Sequence, residues 1–159
     1  MTAHDDAHFI RIAIDVAQRA REHGNHPFGA ILVDSTGEVL LVAENTLLTE
    51  NDVTNHAETN LVRLAGHALP RAALRATTLY TSCEPCPMCS GAIYWAGIGR
   101  VVYGLSEAGL YGPGATEPGS DALLMPCRDI FAAGGTPTEV VGPMLEDEAS
   151  EPHRGFWRS

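Results

Sequence analysis

A chain of 159 residues with 45% hydrophobic and 19% charged content is ordinary for a globular protein, and its length suffices for one domain that buries about two thirds of its unfolded surface. All ten basic residues are Arg, against twenty Asp plus Glu, giving a formal net charge of −10; that field disfavours a nucleic-acid partner, and the absence of Lys excludes Schiff-base chemistry. No apolar run approaches the roughly 20 residues of a membrane span, and "MTAHDDAHFIRIAI" lacks a basic leader before an apolar core, so a cytoplasmic protein is expected.

In chain order, residues 5–22 place Phe9, Ile12, Ala13, Val16 and Ala20 at helical spacing, which predicts an amphipathic helix ended by His-Gly-Asn-His-Pro at 23–27. "FGAILVD" (28–34) and "VLLVAEN" (39–45) flank Ser35-Thr36-Gly37 as a hairpin. "HAETNLVRLAGHAL" (56–69) reads as a helix capped by Thr54 or Asn55. "TTLYTS" (77–82) is a buried strand, and 87–97 a helix opened by Pro87. "RVVYG" (100–104) is a further strand, and the Gly- and Pro-rich span 106–121 a loop. A helix near 126–135, a last strand at 138–142 and a helix or tail from 145 complete the pattern. A hairpin followed by alternating helix and strand predicts an α/β fold, a mixed sheet with helices on both faces.

Chemistry concentrates in "HAETN" (56–60) and "SCEPCPMC" (82–89). Cys86-Pro-Met-Cys89 alone fits a thioredoxin-like redox pair, or a four-ligand structural zinc site with Cys83 or Cys127 recruited. His56 joins Cys86 and Cys89 in a third arrangement, three ligands with a position left for water, as catalytic zinc requires. Two helix starts converging there stabilise thiolates, and two thiolates neutralise Zn²⁺. Glu58 favours this arrangement, because a structural site has no use for a proton shuttle beside its ligand.

His56-Ala57-Glu58 and Pro85-Cys86-Pro87-Met88-Cys89 resemble the H-x-E…P-C-x-x-C signature of the zinc-dependent cytidine deaminase superfamily. The likeness extends through "HPFGAILVD" and "TTLYTSCEPCPMCSGAIYWAGIGRVVYG", covers about residues 5–105, and looks most like the bacterial guanine deaminase branch. It implies a three-layer α/β/α cytidine-deaminase-like fold with a five-stranded mixed sheet, one Zn²⁺ per subunit and a homodimer. It further implies hydrolytic deamination of a free nucleobase or nucleoside, guanine or a related aminated purine first. A cytosine-like or aminated triazine ring, a tRNA adenosine, and a non-catalytic zinc module are the alternatives. By the same resemblance Phe28 and His56 sandwich the base, while Asn45 and the Ala57 backbone N–H bond its polar edge. The aromatic tail, Phe156 and Trp157, closes over a site. Trp95 is a further substrate-binding candidate, though with Tyr94 it equally suits core or dimer packing. Glu107 and Asp121 are the candidates for an acidic purine-reading residue, and Cys83 and Cys127 are spectators.

Overall fold

The computed structural model describes residues 3–115 and 117–157, with side chains from residue 6 onward. Residue 116 of the expected loop and residues 158–159 of the tail lie outside the described residues. The elements are α1 (Ala3–Glu22), β1 (Gly29–Val33), β2 (Val39–Glu44), α2 (Leu47–Glu50), α3 (Ala57–Ala68), α4 (Arg71–Leu74) and β3 (Thr78–Cys83). They continue with α5 (Pro87–Ala96), β4 (Arg100–Leu105), α6 (Glu107–Tyr111), α7 (Cys127–Ala132), β5 (Glu139–Val141) and α8 (Glu146–Ser150), which runs into a 3₁₀ turn, Glu151–His153. Among the described residues no helix is long and apolar enough to cross a membrane.

The five strands form one mixed sheet in the order β2-β1-β3-β4-β5. β1 pairs antiparallel with β2 and β3, while β3–β4 and β4–β5 are parallel. Side chains alternate across a strand, so a sheet covered on both faces needs apolar residues at every position. β1 shows this directly. Ala30 and Leu32 join a core with Leu61 and Ala65 of α3, Ile93 of α5 and Phe131 of α7. Ile31 and Val33 face the other way, onto Phe9, Ile10 and Val16 of α1. Tyr80 and Val102 share the α1 side, and Leu79, Val101 and Tyr103 the α3/α5 side. Gly29 lets α1 lie close to the sheet: a Cβ there would meet Ala17 N, Ala13 O and Val16 Cβ at 2.5–2.7 Å.

Two expectations change. The cap of α3 is His56 itself, in an extended conformation, not Thr54 or Asn55. The span 106–121 is not all loop, since Ser106 accepts a hydrogen bond from Gly109 N–H and starts the short helix α6. An Ser-x-x-Gly turn carries no apolar periodicity, so helical spacing could not reveal it.

Sheet topology positions the site. Because β1 runs against β3, the start of β1 and the end of β2 lie at the same edge as the carboxyl ends of β3 and β4; Gly29 pairs with Glu44, and Cys83 with Leu105. Phe28, Asn45, the loop after β3 and the loop after β4 therefore gather at one end, where α/β sheets bind ligands.

One buried ion pair ties α1 across the sheet. Arg100 donates to both carboxylate oxygens of Asp6 at 2.8 and 2.7 Å, and the Tyr80 hydroxyl donates to Asp6 Oδ1 at 2.7 Å. Asp6 is 2% exposed, so removing the guanidinium takes a charged partner from a carboxylate shielded from water. Arg100→Met is expected to lower unfolding stability by about 3 kcal/mol in urea titrations, whereas an effect below about 1 kcal/mol would mean water replaces the partner.

Candidate active site

His56 and Cys86 occupy equivalent places: each is the extended residue immediately before a helix, α3 and α5 respectively, and neither side chain caps its helix. The side chains are thus free to turn toward one another, while the first N–H groups of both helices point into the same space. His56 Nδ1 lies 3.6 Å from Cys86 Sγ and 3.5 Å from Cys89 Sγ. A tetrahedral zinc centre with ordinary bond lengths separates a ligating nitrogen from a thiolate sulfur by about 3.6 Å. The donor set, one imidazole and two thiols with their ligand atoms within 4.8 Å of one another, fits one zinc ion. Cys83 and Cys127 are buried outside this group, which leaves it three protein ligands.

The electrostatics favour thiolate. The Cys86 thiol is depressed to about 4, first by its hydrogen bond with Cys89 and also by His56 and the Cys89 backbone N–H. The hydrogen bond with Cys86 raises His56, and the hydrogen bond between Cys86 and Cys89, with burial, pushes Cys89 up. The Thr59 backbone N–H, from the first turn of α3, opposes that rise. Glu58 is 5% exposed and faces the same cleft, its carboxyl hydrogen-bonded to Cys89. Burial, above all, raises it to about 7. Ideal helical spacing would turn positions 56 and 58 about 200° apart; the extended backbone at His56 removes that conflict.

The cleft beside this cluster has a volume of about 1310 Å³. Phe28, Asn45, His56 and Glu58 line it, and so do Trp157, Glu107 and Asp121. Asn45 is 1% exposed; its Oδ1 accepts from Leu47 N–H at 3.0 Å, and its backbone N–H donates to Phe28 O. Ala57 opens α3, where a backbone N–H has no intrahelical acceptor. Trp95 lies elsewhere: it is 77% exposed on the outer face of α5, packs edge-on to Tyr94, and is absent from the cleft wall, which corrects its reading as a substrate contact. Apolar size alone carries no direction, so sequence could not say which way that ring points.

Glu107 is the acidic residue with the stronger placement. It is 5% exposed, its Oε1 is buried with no hydrogen-bond partner, and its carboxyl accepts from Met125 N–H. Burial first, then the neighbouring Glu84 carboxylate, raises it to about 8. Asp121 sits on the exposed rim of the same wall. Glu84, His26 and Arg21 were not singled out by sequence reasoning, although Glu84 lies inside "SCEPC" and His26 inside "HPFG".

The C-terminal segment folds over this chain's own cleft. Trp157 packs 5.0 Å from the His26 ring and 4.8 Å from Phe156, and its indole N–H donates to His153 Nδ1 at 2.9 Å. His153 in turn meets Phe28 edge-on at 5.2 Å. Phe156 stands behind this layer, under the Arg21 guanidinium at 5.5 Å, and is not itself a cleft residue. Arg21 also donates to the carbonyls of Pro152 and Arg154 at 2.9 and 2.6 Å, latching the segment to the end of α1. Burial, then Arg21, lowers His153 to about 4 from its usual 6.5. Between those values the unfolded chain takes up a proton that the folded chain refuses, so this group removes stability as pH falls through the window. His153→Phe, which keeps a ring against Phe28 and Trp157, is expected to flatten the acid side of the stability curve in thermal melts from about pH 7 to 4; an unchanged slope would assign the acid sensitivity to another group.

The zinc-binding region of cytidine and deoxycytidylate deaminases matches residues 3–105. A probable cytosine deaminase from Schizosaccharomyces pombe is 47% identical over 152 residues, 96% of this chain and 92% of its own length. The guanine deaminase of Bacillus subtilis is 43% identical over 96 residues, 60% of this chain and 61% of its own. Among solved structures, one from studies of A-to-I editing by tRNA:A34 deaminases superposes with a TM-score of 0.69 at 31% identity, covering 92% of this chain and 99% of that one. With the His-Cys-Cys group and its neighbouring Glu58 in place, these matches make the chain a zinc hydrolase acting on carbon–nitrogen bonds, a member of the cytidine and deoxycytidylate deaminase family.

Proposed function

We propose that the enzyme releases ammonia from a free nucleobase, with cytosine the first substrate to test and guanine the second. The reaction class comes from the family; the choice of a free base is carried by Glu107. Its unpartnered oxygen, buried at the cleft wall, suits a ring N–H of the substrate. In cytidine N1 bears the sugar and has no proton to donate. Size does not make this choice, since about 1310 Å³ exceeds the 300–1,000 Å³ of common ligand pockets and admits a nucleoside.

Cytosine leads because the S. pombe relative aligns with nearly the whole chain, including most of the wall and tail beyond Leu105, where the family match stops. The guanine deaminase aligns over only 60% of it. Guanine, favoured by the wording of the motif, keeps its place because an acidic wall residue also suits purine N–H groups. A tRNA substrate is opposed by the net charge of −10. A homodimer is the expected assembly, and the exposed Trp95 face of α5 suits its contact.

Zinc, when bound by His56, Cys86 and Cys89, supplies the Lewis acidity that makes water nucleophilic near neutral pH. The chain's own groups do the rest. Phe28 and His56 hold the ring between them, Asn45 and the Ala57 N–H face its polar edge, and Trp157 with the tail keeps bulk water out. The Glu58 carboxylate takes a proton from the attacking water and gives it to the ring nitrogen, then takes the proton of the newly formed hydroxyl and gives it to the departing amine. The carbon–nitrogen bond breaks, ammonia leaves, and a carbonyl remains on the ring.

Ammonia release is measured on cytosine, cytidine, guanine, guanosine, isoguanine, adenine, an aminated triazine and a tRNA anticodon stem-loop, each with and without a zinc chelator. Chelator-sensitive turnover of cytosine, with cytidine inert, is the expected result. Turnover of guanine alone would exchange the two leading substrates, and turnover of the stem-loop alone would overturn the free-base reading. Glu58→Gln is expected to retain zinc by metal analysis and to lose about 10³-fold or more in kcat, in line with the loss of a positioned acid–base.

A further inference from the structure

The polypeptide between Glu107 and Cys127 forms one wall of the cleft, and both of its ends are held by one side chain. Glu84, 8% exposed in the loop between β3 and α5, accepts from Glu107 N–H through Oε1 at 3.1 Å and from Cys127 N–H through Oε2 at 3.0 Å. The Cys127 thiol bonds to the same carboxylate. The Glu84 backbone N–H donates to Leu105 O at 2.7 Å, fixing the loop against the end of β4. Glu84 is two positions before the ligand Cys86, so the loop that presents a zinc ligand also sets where the wall begins and ends. Glu107 leaves the end of β4 with its backbone on Glu84 and its carboxyl oxygen Oε1 unpartnered in the cleft.

We propose that Glu84 is a positioning residue for substrate recognition, acting through the backbone of Glu107 and Cys127 to aim the Glu107 carboxyl at the base. The inference rests on the reading of Glu107 given above. A carboxylate is required because both oxygens must accept; the amide of Gln presents one oxygen and turns an N–H₂ toward the other backbone donor, losing that tether. Glu84 borders the cleft but gives its two carboxylate oxygens to the Glu107 and Cys127 N–H groups, so its loss falls on binding of the base through Glu107 and spares the proton transfers at Glu58.

The test is a double-mutant cycle on zinc-loaded full-length enzyme with cytosine, or with guanine if the panel selects it. Glu84→Gln is expected to raise KM about 10-fold, to change kcat less than about 3-fold and to retain zinc. Glu107→Gln is expected to raise KM by a similar factor. Combined, the two should raise KM little further than either alone, because residues acting as one unit are not additive. Should Glu84→Gln fail to accumulate, Cys127→Pro cuts the second tether alone. Proline is favoured at the first position of a helix, and Pro126 at ψ 134° already has the backbone that precedes a proline. The same KM rise and non-additivity are expected there. If Glu107→Gln leaves KM unchanged, the reading of Glu107 is wrong and this proposal goes with it. If Glu107→Gln raises KM while the tether variants act additively, or act through kcat and zinc loss, the reading of Glu107 stands and the role of Glu84 is overturned as merely structural.

Discussion

Everything at the site depends on two helices beginning at the same point. The first turn of α3 and the first turn of α5 each expose N–H groups with no partner inside the helix. Their partial positive charge falls on one buried and one half-buried sulfur, through the Thr59 N–H on Cys89 and the Cys89 N–H on Cys86. Anionic sulfur in an apolar interior is otherwise costly. The sheet makes this meeting possible, since α5 starts from the carboxyl end of β3, and α3 follows β2, whose end lies at the same edge.

Around that fixed point the site separates into parts with different tolerances. The ligands and Glu58 sit on helix starts, which packing against the sheet holds in place. Beyond the short helix α6 and the 3₁₀ turn, the described residues of the wall and the tail are irregular, held by a few specific bonds: Glu84 to the wall, Arg21 and His153 to the tail. The family match ends at residue 105, the last residue of β4, immediately before the wall.

Much of this was legible in the sequence, for a physical reason. The strands and the long helices announce themselves through periodicity, because each has to bury one stripe or two faces. The zinc ligands announce themselves because metal geometry demands particular residue types at short spacing. The cap of α3 was misplaced because His56 takes a role normally given to Thr or Asn, leaving its ring free for the cluster. Glu84 has no legible role in the sequence: its partners, Glu107 and Cys127, are 23 and 43 positions away, and only the fold brings them together. Glu107 was a candidate without a register because its helix is too short to show a period. Trp95 failed as a substrate contact because a ring on a helix faces the cleft or solvent by a rotation of that helix that one residue's identity does not encode.

The double anchoring of the wall has a bearing on how such a chain diversifies. When both ends of a segment are pinned at one carboxylate, the stretch between them is a closed loop whose ends stay put whatever its length. Doubling a flexible loop costs only about 0.6 kcal/mol in closure entropy, far less than disturbing a helix start that carries a metal ligand. Insertions and deletions between residues 112 and 126 are therefore thermodynamically cheap, and each one reshapes the cleft without moving Glu58. A lineage with this architecture can sample new ring shapes by indel, ahead of any change in its reaction.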